Sequence, residues 1–218
     1  MKKIMVLTSM RTGSTWLTFL VKNLVQMRTS FARSYQQVNA GWFHNAVVKA
    51  HKYTPEEIFK FFPDAYVITS VRNPKGRTTS QFYFMKPFDE ERFNKILTRS
   101  YKYAEKRQLN RMWEGFSTRS FDGSEMSPHY LWTTYEWMKE DIHREARAIC
   151  TFLGLSKSDR YIKDAVDRTE RDCKNIGIIR KGVVDSWKDE YFKERLEILD
   201  KHQEMYYNRV NGELGEEE

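Results

Sequence analysis

Apolar positions in this chain follow two spacings: short continuous runs, and longer stretches in which they recur every three or four residues. Four short runs are rich in apolar and β-branched residues and predict strands. The run that ends at Val71 is nearly continuous, which is typical of a strand buried on both faces of a parallel sheet. The predicted strands cover residues 4–7, 46–52, 65–71 and 130–135.

The segments between these strands carry the spacing of helices. Leu17, Leu20 and Leu24 share one face of a helix that is expected to run to about Met27. Residues 28–46 show no clean period and predict no element. Further helices are predicted over about 54–62, 77–85, 88–117, 141–154 and 157–169, and from 189 onward.

Strands that alternate with helices predict an α/β fold, a three-layer sandwich around a mostly parallel central sheet. The chain has 218 residues, which is enough for one sizeable hydrophobic core. Neither an internal repeat nor an evident linker divides the sequence. Residues 1–218 are therefore expected to form a single domain.

Composition narrows the class of partner. There are 37 Lys and Arg against 30 Asp and Glu, which gives a formal charge of +7 and favours anionic ligands. The basic residues are scattered, so the sequence does not predict a nucleic-acid partner. Cys150 and Cys173 are far apart in helical patterns, so neither a disulfide framework nor a metal site is expected. The N-terminal apolar run is too short for a signal peptide, and no stretch is long enough for membrane insertion, so we expect a cytoplasmic protein.

Candidate chemistry begins in the loop after the first predicted strand. Residues 8–15, T-S-M-R-T-G-S-T, lie between that strand and a helix, where backbone N–H groups and a helix dipole can hold an anion. An ordinary turn with a hydroxyl cap would give the same pattern. A nucleoside-triphosphate loop needs a glycine where Thr8 stands and a lysine where Ser14 stands, so a kinase or ATPase is not favoured. Arg11 supplies a positive charge from inside the loop.

Polar residues also follow the other predicted strands. Lys49 and His51 end the second strand, Arg72 ends the third, and Tyr135 ends the fourth. Ligands of such folds bind at the carboxyl ends of the strands, so these residues and the loop are expected to ring one crevice. Each residue also has a simpler interpretation, such as a solvated histidine for His51 or a surface cation for Arg72.

Five motifs lie in a fixed order between residues 10 and 188. They are M-R-T-G-S-T-W at 10–16, Lys49-Ala50-His51, Arg72-Asn73-Pro74-Lys75 with Ser80, Y-E-W-M-K-E-D at 135–141, and Arg180-Lys181-Gly182. In this order they resemble the motifs of the sulfotransferases that use 3′-phosphoadenosine 5′-phosphosulfate (PAPS). The resemblance implies a sulfotransferase fold similar to that of P-loop nucleoside triphosphatases.

The resemblance also implies a donor site. The 5′-phosphate would be held by the amides of Thr12, Gly13, Ser14 and Thr15 and by the Ser14 and Thr15 hydroxyls. Trp16 would stack on adenine, with Tyr135 near its edge. The 3′-phosphate would be bound by Arg72, Ser80, Arg180, Lys181 and Gly182.

The resemblance implies three catalytic residues. His51 would be the general base that takes the proton of an acceptor hydroxyl, and Lys49 would lie beside the sulfonate. Arg11 would face the leaving phosphate, where family members often have lysine; arginine stabilises that charge but hardly protonates it. No metal is expected, because cations of the chain supply the positive charge. The product of PAPS would be 3′,5′-bisphosphoadenosine (PAP).

Departures from the family pattern leave the acceptor open. Asp185 and Ser186 replace a glycine and an aspartate of the late loop, and the usual dimerisation motif is not evident. The acceptor is expected to be a small-molecule alcohol, phenol or glycan, or an amine. Two alternatives remain at this stage, a kinase-like nucleotide-binding phosphotransferase and a nucleotide-binding module without catalysis. The aromatic residues Phe82, Tyr83, Phe84, Phe88 and Tyr101 could line an acceptor pocket or belong to the core.

Overall fold

A computed structural model describes residues 2–32, 46–51, 55–84, 90–103, 129–176 and 186–211. These residues belong to two compact units, each of which is described by itself. The first unit comprises Met1–Val71 and Met126–Gly182, and the second comprises Arg72–Glu125 and Val183–Glu218. The single domain expected from the sequence stays a prediction. Phe88, Arg180, Lys181, Gly182 and the predicted helical residues 104–117 lie outside the described part of the chain.

The first unit is built on a parallel sheet. Among the described residues the sheet has five strands, in the order β2-β3-β1-β4-β5, and every neighbouring pair is parallel. The α/β class and the parallel central sheet predicted from the sequence are thereby confirmed. The strands are β1 Ile4–Leu7, β2 Arg28–Ala32, β3 Ala46–Ala50, β4 Tyr66–Val71 and β5 Tyr130–Thr134.

Helices connect and cover these strands. In chain order they are α1 Ser14–Val25, α2 Pro55–Phe61, α3 Pro74–Phe84, α4 Glu90–Tyr103, α5 Tyr135–Glu140, α6 Ile142–Phe152, α7 Asp159–Asn175, α8 Glu190–Lys193 and α9 Asp200–Val210, with 3₁₀ turns at Ser186–Lys188 and Glu194–Leu199. Within the described part of the chain, none of these helices is both long and apolar enough to cross a membrane.

The core of the first unit lies between one face of the sheet and helices α1, α6 and α7. Ile4, Val6 and Ile68 point into it from the strands, and Leu20 and Ala165 meet them from the helices. The apolar run of β1 is buried as predicted, and β1 pairs with β3 on one side and β4 on the other. Because all strands are parallel, the loop after β1 and the end of β3 lie at the same edge of the sheet.

Two predictions about the first unit need correction. β2 falls in a stretch for which no element was predicted, because its sequence R-T-S-F-A is largely polar and, among the described strands, it pairs with β3 alone. Tyr135 was expected to end a strand, but it is the first residue of α5. The hydroxyl of Thr134 accepts a hydrogen bond from the amide of Trp137 and so ends β5 and caps the helix.

The second unit contains α3, α4, α8 and α9. Asn73 starts α3 three residues earlier than predicted, because its side-chain oxygen accepts hydrogen bonds from the amides of Lys75 and Gly76. Its amide nitrogen donates to the hydroxyl of Tyr207 at 2.7 Å. Phe82 belongs to the core of this unit, whereas Phe84 is 66% exposed. That core also contains Phe93, Ile96, Phe192, Leu196 and Leu199, with Tyr83 and Tyr101 packed against it.

Candidate active site

The loop between β1 and α1 is tied to both neighbouring strands. The Thr8 amide donates to the carbonyl oxygen of Ala50 at 3.1 Å, which extends the pairing of β1 with β3. The Thr12 hydroxyl donates to the carbonyl of Ser9, and the Ser70 hydroxyl on β4 donates to the carbonyl of Thr12 at 2.8 Å. Thr12 is fully buried, and its side chain supports the loop.

The backbone of this loop turns at two residues with positive φ. Arg11 has a φ of 71° and Gly13 has a φ of 80°. A β-carbon at Gly13 would lie 2.8 Å from Cδ2 of Tyr135 and 3.2 Å from Cε of Met138. Residue 13 therefore requires glycine for two reasons, its backbone conformation and the close packing of α5 against it.

Gly13 also leaves the start of α1 open. It occupies the N-cap position, where a Ser or Asp would fold back onto the first turn, and no side chain caps this helix among the described residues. The first hydrogen bond of the helix runs from the Leu17 amide to the Gly13 carbonyl at 2.9 Å. The amides of Ser14, Thr15 and Trp16 therefore precede it and have no carbonyl partner within the helix. They can bind an anion, with the helix dipole in support.

Lys49 brings a positive charge to the start of α1. Its Nζ atom donates to Oγ1 of Thr15 at 2.7 Å. Burial, and secondly the charge of Arg11, lower the pKa of Lys49 from 10.5 to about 8. Two cations thus lie close enough to repel each other beside an open helix terminus. An anion bound here would offset the repulsion between Lys49 and Arg11. Their placement therefore suits an anion site.

His51 follows β3 directly and is oriented by the loop. Its Nδ1 atom lies 2.7 Å from the carbonyl oxygen of Thr8. A carbonyl only accepts, so Nδ1 carries the proton and the neutral ring keeps an acceptor at Nε2. Burial and the charge of Lys49 hold the pKa of His51 below 6.5, although the bond to Thr8 acts in the opposite direction. His51 is therefore neutral at pH 7 and able to accept a proton.

Phe31 is a residue of this site that the sequence did not predict. It lies opposite Lys49 in the pairing of β2 with β3. Its ring centroid is 5.5 Å from that of His51 and 6.0 Å from Nζ of Lys49. Phe31 is nevertheless 42% exposed, which is a large fraction for a phenylalanine on a strand. The sequence offered one indication of a role for Phe31, namely its position as an apolar residue in a largely polar stretch.

Trp16 and Tyr135 meet on the other side of Gly13. Their ring centroids are 6.0 Å apart and the rings are inclined at 67°, in an edge-to-face contact. Nζ of Lys139 lies 5.4 Å from the centre of the Trp16 ring. Trp16 also packs against the core of the first unit, so it forms part of the protein interior as well as a surface on which a base could stack.

Two further predicted site residues belong to the second unit. Arg72 is the first residue of the second unit and is 7% exposed, and Ser80 is half-buried on α3. The structure therefore brings together the loop, Lys49, His51 and Tyr135 within the first unit, and the roles of Arg72 and Ser80 stay predictions. No cluster of three His, Cys, Asp or Glu side chains suited to a metal ion occurs in the part of the chain that the structure describes.

Comparison with known proteins identifies the family and the fold. A family model described as "Sulfotransferase domain" matches residues 1–212. Retinol dehydratase in complex with androsterone and the inactive cofactor PAP is similar in structure, with a TM-score of 0.68, 16% identity, and coverage of 96% of this chain and 81% of that one. A mouse sulfotransferase complexed with PAP has a TM-score of 0.68 and 15% identity, over 92% of this chain and 82% of that one. Among curated proteins, none matches this sequence.

Proposed function

This chain belongs to the sulfotransferase family, and from that membership we propose that it transfers a sulfonate group from PAPS to the hydroxyl of a small-molecule acceptor. One observation carries the proposal: Lys49 reaches the uncapped start of α1, close to Arg11, and the neutral base His51 stands two residues further along. An anion site with a base beside it is what sulfonate transfer to a hydroxyl requires.

In this proposal the start of α1 holds the 5′-phosphosulfate. The open amides of Ser14, Thr15 and Trp16 and the loop amides would bind its oxygens. Thr12 would contribute its amide alone, since its hydroxyl is bonded to Ser9 within the loop. Retinol dehydratase and the mouse enzyme were both solved with PAP, and their fold supports the same donor here.

The rest of the nucleotide would be held by the other predicted residues. Trp16 offers a ring to adenine, and its contact with Tyr135 fixes the orientation of that ring. For the 3′-phosphate we propose Arg72 and Ser80, together with the late-loop residues Arg180, Lys181 and Gly182. These assignments come from the sequence motifs.

The reaction follows from the charges in the first unit. The acceptor oxygen attacks sulfur while its proton moves to Nε2 of His51, and the bond between sulfur and the 5′-phosphate oxygen breaks. Charge accumulates on the sulfonate oxygens and the leaving phosphate, where Lys49 and Arg11 would stabilise it. A metal ion stabilises this negative charge in many phosphoryl transfers. Here the two cations would do so, and we therefore propose catalysis without a metal.

For the acceptor we propose a hydroxyl compound with an apolar body. A hydroxyl that reaches His51 places its carbon skeleton near Phe31, whose exposed ring favours apolar contact. Retinol dehydratase was solved with androsterone and with retinol, which are apolar alcohols. The cytoplasmic location stays a prediction from the sequence.

A transfer assay with labelled PAPS and panels of apolar alcohols, phenols, amines and glycans tests the proposal. We expect turnover with an apolar alcohol or phenol, and none when His51 is replaced by alanine, although PAP still binds to that variant. Wild-type turnover that His51→Ala leaves unchanged would contradict the role of the base. Tighter binding of ATP than of PAP would contradict the donor and would favour a kinase-like phosphotransferase.

A further inference from the structure

The two cations of the proposed phosphosulfate site differ in how they can act. The guanidinium of Arg11 is rigid and keeps its charge, so it serves as a fixed positive group. Lys49 carries a flexible ammonium whose pKa is lowered by burial to about 8. Among the described residues, the hydrogen bond that holds this ammonium runs from Nζ of Lys49 to the hydroxyl of Thr15. The hydrogen-bonding partners of the Thr15 hydroxyl therefore bear on how the Lys49 charge reaches a ligand.

Among the described residues, the Thr15 hydroxyl accepts a hydrogen bond and keeps its own hydrogen for a further acceptor. An ammonium can only donate, so Oγ1 of Thr15 is the acceptor in its 2.7 Å contact with Lys49. Within the described part of the chain, this hydroxyl donates to no other group. By contrast, Thr18, one turn along α1, directs its hydroxyl back to the carbonyl of Ser14 at 2.6 Å. Thr15 is thus a hydroxyl of this turn that accepts from Lys49 and can donate to a ligand at the same time.

Thr15 is also correctly placed to donate to a phosphate. It is the second residue of α1, in the turn whose amides form the proposed anion site. A hydroxyl that accepts from a cation becomes a stronger donor, because hydrogen bonds in a chain polarise one another. An oxygen of the 5′-phosphate bound at this helix start would therefore complete a chain from Lys49 through Thr15 to the leaving group.

We propose that Thr15 is a positioning residue that links Lys49 to the leaving phosphate through its hydroxyl. This inference rests on the proposed function. When the bond from sulfur to the phosphate oxygen breaks, the electron pair remains on that oxygen, and Thr15 donates to it while accepting from Lys49. The acceptor's proton goes to His51, and Thr15 and Lys49 keep theirs. The link persists only while Lys49 is charged.

Variants of Thr15 test the link through the pH dependence of kcat/KM for PAPS. We expect Thr15→Val to lower kcat by at least about tenfold. The alkaline limb, in which kcat/KM falls as Lys49 loses its proton, should move to lower pH, since the charged form of Lys49 loses an acceptor. Thr15→Ser should restore both. Lys49→Arg should abolish the limb below pH 10, because arginine does not deprotonate there. Thr18→Val is the matched control and should leave the limb in place.

Three outcomes separate the possibilities. An equal loss of PAP affinity and kcat in Thr15→Val, with an unmoved limb, would make Thr15 a phosphate anchor and overturn the link. Should Thr15→Val not fold, Lys49→Ala, Thr15→Ala and their double variant decide, because linked residues lose activity non-additively. Additive losses would overturn the proposal. If the wild-type enzyme neither binds PAP nor uses PAPS, the proposed function itself fails, which is a different result from an active enzyme with an unmoved limb.

Discussion

Thr8 fixes His51 through the main chain: its carbonyl oxygen accepts from Nδ1 of His51 at 2.7 Å, while its amide donates to the carbonyl of Ala50. The anion loop and the base are therefore held by the same peptide groups at the end of β1. No side chain of the loop is needed to orient the imidazole, so loop substitutions should change charge without displacing the base.

The first prediction concerns the acid side of the pH profile. A base must be neutral to act, so turnover is retained above the pKa of His51 and is lost as the pH falls through it. Burial lowers this pKa, so the midpoint of the acid limb should lie below 6.5. A profile of kcat/KM for the acceptor measures it. A midpoint above 6.5, or the same limb in His51→Asn, would show that another group titrates.

The second prediction concerns stability at Gly13. Gly13→Ala should lower the free energy of unfolding by about 3 kcal/mol, because alanine meets both the positive φ and the ring of Tyr135. Gly154→Ala is the matched control: φ is +59° there, but the nearest atom is the flexible end of Lys2. It should cost only about 1 kcal/mol. Urea denaturation of both variants measures the difference, and equal losses would show that the Tyr135 contact yields easily.

Much of this site could be predicted because its signals are local. The apolar run of β1 and the glycine at position 13 occur within ten residues of each other, and they predict a strand, a tight loop and a helix start. The hydrogen bond between Lys49 and Thr15 could not be predicted in this way. It depends on the pairing of β1 with β3, in which Leu7 lies opposite Ala50. Hydropathy spacing along a single chain does not specify which strands become neighbours.

Phe31 could not be predicted from the sequence either. β2 lies at the edge of the sheet and exposes residues that a central strand would bury, so its sequence has no buried period to detect. The boundary at Thr134 was missed by one residue for a different reason. There the apolar run continues into Tyr135, and only the hydroxyl of Thr134 marks the change from strand to helix.

The third prediction concerns the charge of Arg11. Arg11→Ala should lower kcat by about 100-fold but weaken PAP binding less than tenfold, because the leaving group gains charge mainly in the transition state. The pKa of Lys49 should rise from about 8, since a repelling charge is removed. The pH dependence of PAP affinity detects that rise.

Two further variants at position 11 complete this test. Arg11→Gly removes the same charge and accepts the φ of 71° without strain, so a result equal to Arg11→Ala assigns the effect to charge. Arg11→Lys should recover most of kcat. Equal losses of PAP affinity and kcat in Arg11→Ala would identify the arginine as an anchor for the nucleotide.

The fourth prediction concerns the acceptor. Phe31→Ala should raise KM for an apolar alcohol by about tenfold, which corresponds to the loss of one aromatic contact surface, and should leave PAP affinity unchanged. Phe61→Ala is the control, because Phe61 is exposed to 58% at the end of α2. Steady-state kinetics with each acceptor class provide the measurement. An unchanged KM in Phe31→Ala would place the acceptor away from this ring.

The fifth prediction isolates the 3′-phosphate. If Arg72 binds it, Arg72→Ala should weaken PAP binding by about tenfold or more and leave the affinity for adenosine 5′-monophosphate unchanged, since that ligand lacks the group. Lys95→Ala removes one charge from an exposed pair with Glu91 in the same unit and should affect neither ligand. Calorimetric titration of both ligands gives the comparison. Equal weakening of the two ligands in Arg72→Ala would mean that the buried arginine maintains the fold, and the 3′-phosphate would then need another cation.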